Sequence, residues 1–447
     1  MKTRLIFLVS LLFFLISCGD SDSETAKLEL SQSTFDDVSA NGETLKIDIT
    51  CNSTWQASSN QSWCIPNKQN ANNDGELILT IHANNTSKER YATVTIISKK
   101  VTKTIKISQI ATTTPVEEYH YKLPVIFHIL YNDPTDRNQY VEKARLSEII
   151  NACNSIYQNK IYKNANSNIS QDMNLEFIMA TEAPDGTSLE EPGIEYINWD
   201  TPSMDCTQFM DGKNESQAKE YAKMIWNPKL YINIFIYPFT NKSILGISHL
   251  PYALSAYPLA GLNNGNYYLK NEVAYPHCIS INSIYIYENS DNIRYTAYDV
   301  YVTLAHELGH YLGLHHAFSE DGNNTDLCKD TDYCDDTPTY NIVEYNDWVN
   351  GLPRDQQYTL TYLSARHNCA GEAFTSRNIM DYAYCFSDEF TPDQRKRIRH
   401  VLSYSPLIPG PKEYTSTDTR SLGSDEKPPI QFLSLIHISE PTRHLRI

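Results

Sequence analysis

Apolar and polar residues alternate with a period of two through four short runs near the start of the chain, 44–49, 76–81, 92–97 and 104–108. That period puts every second side chain on one face of a strand, and the Asn-, Ser- and Gly-rich turns between the runs have the spacing of a small sandwich. A β-sandwich is therefore predicted over residues 28–111. The pattern changes after Ala111–Glu118, a linker with three Thr and a Pro. Lys122–Tyr131 is a nearly continuous apolar strand of the buried kind, a helical period follows over 142–157, and strands are predicted at 174–179, 229–237 and 278–287. Strands alternating with helices predict, over 119–408, an α/β unit whose helices cover a twisted sheet. The chain as a whole is thus expected to be an α+β multidomain protein.

The first residues bear on compartment. Lys2 and Arg4 precede an apolar run at 5–16, too short to cross a hydrocarbon core of roughly 30 Å as a helix, so residues 1–17 read as a signal peptide. The run ends Leu15-Ile16-Ser17-Cys18, which resembles a bacterial lipobox, and residues 18–27 would form an acidic tether behind an acylated Cys18. An outer-membrane lipoprotein exposed at the cell surface is the expectation; the plainer reading is a secretory signal with an incidental Cys. A hydrophobic content of 41% with 20% charged residues excludes wholesale disorder. A net charge of −17 without basic runs excludes nucleic acid as the main partner. Of ten Cys, Cys18 would be acylated, which leaves an odd number whose pairing cannot be read from sequence. Residues 409–447 are Pro/Ser/Thr-rich at their start and expected to be unstructured; 433–447 resemble a translated sequencing-library adapter and carry no functional reading.

Chemistry is concentrated at residues 306–316, His-Glu-Leu-Gly-His-Tyr-Leu-Gly-Leu-His-His. At 3.6 residues per turn, His306 and His310 stack on one helix face and can converge on one ion. Tyr301, Leu304, Ala305, Leu308 and Leu312 form a buried stripe, and Thr296 with Asp299 is a candidate capping box. Gly313 can adopt the left-handed conformation that ends the helix and swings His316 back to the same ion. Three neutral imidazoles leave a fourth position for water, the open arrangement of a catalytic zinc site, with Glu307 beside it as general base. With 13 His in 447 residues, H-E-x-x-H arises by chance on the order of a few per cent of the time, and the added Gly and third His lower that about a thousandfold. The offset favours His316 over His315 as the third ligand.

Arg377-Asn378-Ile379-Met380-Asp381-Tyr382 matches the Met-turn of metzincins, in which Met380 would floor the zinc. Together with the long motif, Asp335-Asp336-Thr337-Pro338, Cys385 and Phe390-Thr391-Pro392-Asp393-Gln394-Arg395, it resembles the pappalysin (cytophagalysin) family of metzincin zinc endopeptidases over roughly 119–407. The resemblance implies a zincin-like α/β catalytic domain, with a lower subdomain after Gly313 and a peptide substrate along an edge strand. It also implies Tyr382 as oxyanion stabiliser and calcium near Asp330, Asp332, Asp335 and Asp336. The insert at 200–226 and the loop at 250–275 fit no part of that pattern. In the first unit, Trp55, Trp63-Cys64-Ile65, Asn84-Asn85-Thr86 through Arg90, and Ile107-Ser108-Gln109 resemble the BACON family of immunoglobulin-like modules. That resemblance implies either a spacer or a binder of glycan or mucin, with the two Trp placed in the core.

The sequence therefore reads as a surface-anchored zinc endopeptidase that hydrolyses peptide bonds of extracellular proteins by metal-activated water. The alternative is a non-catalytic adhesin that binds glycan through the sandwich. A degraded site should have lost a ligand or Glu307, and all are present.

Overall fold

The structure, a computed structural model, describes residues 27–61, 63–67, 70–84, 86–112, 118–160, 169–265, 277–291, 295–320, 326–353, 355–356, 358–382, 384–414 and 430–436. The signal peptide, Cys18 and most of the tether lie outside the described residues. The chain divides into two compact units at the 117/118 boundary, within the predicted linker.

The first unit is a β-sandwich. Its described strands are β1 (Leu28–Leu30), β2 (Thr34–Val38), β3 (Glu43–Cys51), β4 (Thr54–Ser59), β5 (Cys64–Pro66), β6 (Asn70–Asn72), β7 (Gly75–Ile81), β8 (Arg90–Ser98) and β9 (Val101–Gln109). They form one sheet in the order β1-β3-β7-β5 and another in the order β2-β9-β8-β4-β6. The four alternating runs became β3, β7, β8 and β9, whose inward residues, among them Ile47, Leu79, Val94 and Ile105, fill the core. Trp55 is 1% exposed and donates its indole N–H to the Asn73 carbonyl, so it belongs to the core. Trp63 is partly buried beneath the Arg90 guanidinium. Asn84, Arg90 and Gln109 tie one end together: Asn84 Nδ2 donates to the Lys88 and Ile110 carbonyls, and Arg90 Nε donates to Gln109 Oε1.

The second unit holds β10 (Tyr121–Tyr131), α1 (Lys143–Tyr157), β11 (Leu175–Met179), β12 (Ile194–Asn198), α2 (Cys206–Asp211), α3 (Glu215–Ala222), β13 (Ile232–Tyr237), β14 (Ile244–His249), β15 (Ile279–Asn282), α4 (Val300–Tyr311), α5 (Ile342–Asn350), α6 (Leu360–Leu363), β16 (Ala365–His367), β17 (Ala373–Thr375), α7 (Pro392–Tyr404) and β18 (Phe432–Ile436). The main sheet runs β11-β10-β13-β15-β14-β18, with β12 also paired to β10. It is mixed: β10 is parallel to β11, β12 and β13, whereas β14 runs antiparallel to β15. The apolar run of β10 is explained by burial on both faces. One face, with Val125, Phe127 and Ile129, packs on α1 and α4. The other, with Leu130, Phe235 and Tyr237, is covered by Phe209 and Met210 of α2. The unplaced insert at 200–226 is therefore a lid on the second face of the sheet.

Two expectations need correction. The strand predicted at 278–287 stops at Asn282, whose side chain accepts from Ile284 N–H and starts a 3-10 turn at Ser283–Tyr285. The tail predicted to be unstructured over 409–447 includes β18, which pairs antiparallel with β14. An open strand edge offers unpaired N–H and C=O groups to an extended apolar segment, and Phe432 and Leu433 gain core contacts there. Residues 415–429 and 437–447 lie outside the described residues. No helix among the described residues is long and apolar enough to cross a membrane.

Candidate metal centre

Helix α4 starts at Asp299, whose carboxylate accepts from the N–H groups of Tyr301 (2.9 Å) and Val302 (3.4 Å). The Thr296–Asp299 box does not form; Asp299 caps the helix alone, and the Thr296 hydroxyl accepts from Tyr298 N–H. At the other end Gly313 sits at φ +90°. Its N–H donates to the His310 carbonyl and that of Leu314 to the Gly309 carbonyl, each at 2.9 Å, the two bonds of a Schellman turn. The turn carries His316 back over the helix, with ring centroids 4.5 Å from His310 and 5.1 Å from His306.

All three rings are buried, and each Nδ1 faces an acceptor: the Ile379 carbonyl at 2.8 Å for His306, the Leu314 carbonyl at 2.9 Å for His310, and Glu320 Oε1 at 2.5 Å for His316. An acceptor opposite Nδ1 calls for a hydrogen there, and in a neutral ring that leaves Nε2 as the lone pair. Burial, with His316 adding to it, pushes His306 and His310 well below the usual imidazole range, so both are neutral. Nε2 of His310 lies 3.1 Å from Nε2 of His316, and Nε2 of His306 has no hydrogen-bond partner among the described residues. One ligand atom from each histidine lies within 4.8 Å of the other two, and among the described residues no other group of three or more ligand side chains is so placed. Three buried imidazoles converging on one point fit a cation, and an all-histidine set fits zinc.

Glu307 is buried next to these rings and against β14, where a Cβ added at Gly246 would lie 2.6 Å from Glu307 Cγ. Met380 lies under the group; a Cβ on Gly309 would collide with its sulfur. The Met-turn is held by Asn378, which accepts from Met380 N–H at 2.9 Å and exchanges hydrogen bonds with Gln394, and by buried Asp381, which accepts from Tyr340 and Ser376 hydroxyls. The Tyr382 ring stands 4.7 Å from those of His316 and Phe318. Burial, with Glu320 and Glu307 adding, pushes its hydroxyl above the usual phenol range, so it stays a donor.

His315 points elsewhere, its ring 5.3 Å from that of Tyr333, and burial next to Arg397 drives its imidazole down to about 3. Two of the carboxylates at 330–336 are engaged within their own loop, Asp332 accepting from Thr337 and from Cys334 N–H and Asp330 from Tyr333 N–H, while Asp336 accepts from Asp393 N–H of α7. Cys328 and Cys369 form a disulfide across that region, while Cys334 and Cys385 are buried free thiols. Gly246 and Glu320 escaped the sequence reading. Glu320 follows His316 by four residues, but outside a helix that spacing is no signal.

Residues 215–403 match the peptidase M43 family model, described as pregnancy-associated plasma protein-A, and residues 53–109 match the BACON domain model. An extracellular metalloprotease of Arthroderma benhamiae is 26% identical over 211 residues, 46% of this chain and 63% of that protein, so the match spans somewhat less than two thirds of this relative's length. A xyloglucan-specific endo-β-1,4-glucanase of Bacteroides ovatus is 35% identical over 95 residues, 21% of this chain and 19% of that one. Among solved structures, mature mirolysin of Tannerella forsythia in complex with a cleaved peptide is 20% identical, with a TM-score of 0.43 over 63% of this chain and 91% of that chain. Residues 215–403 thus carry a metzincin-type metalloprotease domain similar to the pappalysins, and residues 53–109 a BACON module.

Proposed function

We propose that the chain is a zinc-dependent endopeptidase acting on extracellular protein or peptide. The observation that carries this is the convergence of three buried imidazoles beside a buried carboxylate, Glu307, that abuts β14. His306, His310 and His316 would hold zinc, which when bound lowers the pKa of water towards roughly 7 and polarises a carbonyl. Glu307 takes the proton of the attacking water and delivers it to the leaving amine. Tyr382, kept protonated by burial, donates to the carbonyl oxygen as charge develops on it. A peptide would lie antiparallel along β14 in the place that residues 432–436 take in the structure, and would have to displace them.

Calcium is a further part of this reading. Burial and neighbouring Asp330 push Asp332 up to about 7, a carboxyl that a bound cation would recharge. Anchoring rests on the lipobox at Cys18 and on relatives named as extracellular metalloproteases. Several acyl chains on that thiol would hold the protein at the membrane, and Cys18→Ala should release it from the membrane fraction. We read the sandwich as an immunoglobulin-like spacer, because the core position of Trp55 argues against a sugar platform. Cleavage of denatured casein or gelatin, abolished by chelator and restored by zinc, is the expected result. No cleavage, together with retention on a mucin column, would favour the adhesin instead.

A further inference from the structure

His306 and His310 are oriented by main-chain carbonyls that the helix end and the Met-turn hold in place, whereas His316 leans on a side chain. His316 lies beyond the helix, so no helical backbone limits its rotamer. What limits it is stacking on Phe318, with centroids 4.8 Å apart and planes 8° from parallel, and the 2.5 Å bond from Nδ1 to Glu320 Oε1. Glu320 is itself fixed: its N–H donates to Thr331 Oγ1 at 2.8 Å, and that hydroxyl donates to the Phe318 carbonyl at 3.2 Å. Charge points the same way. A dication held by three imidazoles brings two positive charges into a buried site, and among the described residues Glu307 and Glu320 are carboxylates beside the rings.

We propose that Glu320 is a positioning residue for the third metal ligand: its carboxylate holds His316 with Nε2 aimed at His306 and His310, and its charge adds to the affinity for a divalent cation. A carboxylate behind a ligating imidazole fixes the tautomer and raises its basicity. The proposal rests on the reading of the three histidines as zinc ligands.

The test measures zinc dissociation constants by chelator competition, and melting temperatures without metal, on the full chain and its Glu320→Ala and Glu320→Gln variants. Glu320→Ala should bind zinc roughly 10–100-fold more weakly. Glu320→Gln keeps an acceptor but no charge, and should fall between it and the parent. All three proteins should melt together without metal. Glu320→Ala affinity within about twofold of the parent overturns the proposal, as does a metal-free melting temperature that falls in step with affinity. If Glu320→Ala does not fold, Glu320→Gln decides: parental affinity overturns the role of the charge. A parent that takes up no zinc overturns the reading of the histidines instead, which separates the two failures.

Discussion

His306 and His310 stand one turn apart on α4, whose rise and pitch place them whatever the rest of the chain does. His316 arrives through a Schellman turn, and its partner, Glu320, sits in a loop tied by Thr331 and braced by the Cys328–Cys369 disulfide. The near pair is ordered by helix geometry and main-chain carbonyls. The far ligand is ordered by side chains and a cross-link. Metal affinity should therefore be more vulnerable on the far side, and proton transfer on the near side.

His316→Ala breaks the comparison most severely. It should lower zinc stoichiometry and activity together, and destabilise the region beyond Gly313, because the ion cross-links helix and loop. Glu307→Gln, on the near side, should keep a full equivalent of zinc while activity falls by at least ~10²–10⁴-fold. Atomic emission on the purified variants checks both. A full equivalent in His316→Ala with His315 intact would put His315 in the ligand set.

Gly246→Ala sharpens the near side. The three heavy atoms nearest the new Cβ all belong to Glu307, so zinc content should be unchanged while kcat drops by up to about 10²-fold through misplacement of the base. An unchanged rate would show that Glu307 shifts freely. The smallest effect is expected from the disulfide, which joins positions 41 residues apart. Replacing Cys328 and Cys369 by Ser should cost about 2–4 kcal/mol in denaturant unfolding and leave the zinc-loaded rate nearly intact.

Much of the fold was legible because it was periodic. The alternation at 44–49 and 104–108 yielded β3 and β9, and the apolar run at 122–131 yielded β10. Less periodic segments were not legible. β14 is Ile-Leu-Gly-Ile-Ser-His, a short strand interrupted by glycine, and its place at the site follows from its neighbours β15 and α4. The two short helices at 206–222 carry too few residues for a helical period to stand out, yet Phe209, Met210 and Tyr221 pack on one face of the sheet. The segment at 432–436 had no evident partner until β14 presented an edge.

The candidate ligands and base were determined by sequence alone, since the spacing of two histidines on a helix and a left-handed glycine turn are local geometry. The Met-turn could be found in the sequence as a motif, but its bond to the site could not: the Ile379 carbonyl meets His306 Nδ1 across a separation of 73 residues. Tertiary structure alone decided that His315 turns away, that Glu320 backs His316, and that Gly246 makes room for Glu307. Side chains that meet through packing leave no period in the sequence, because nothing in the local backbone requires them to be near each other.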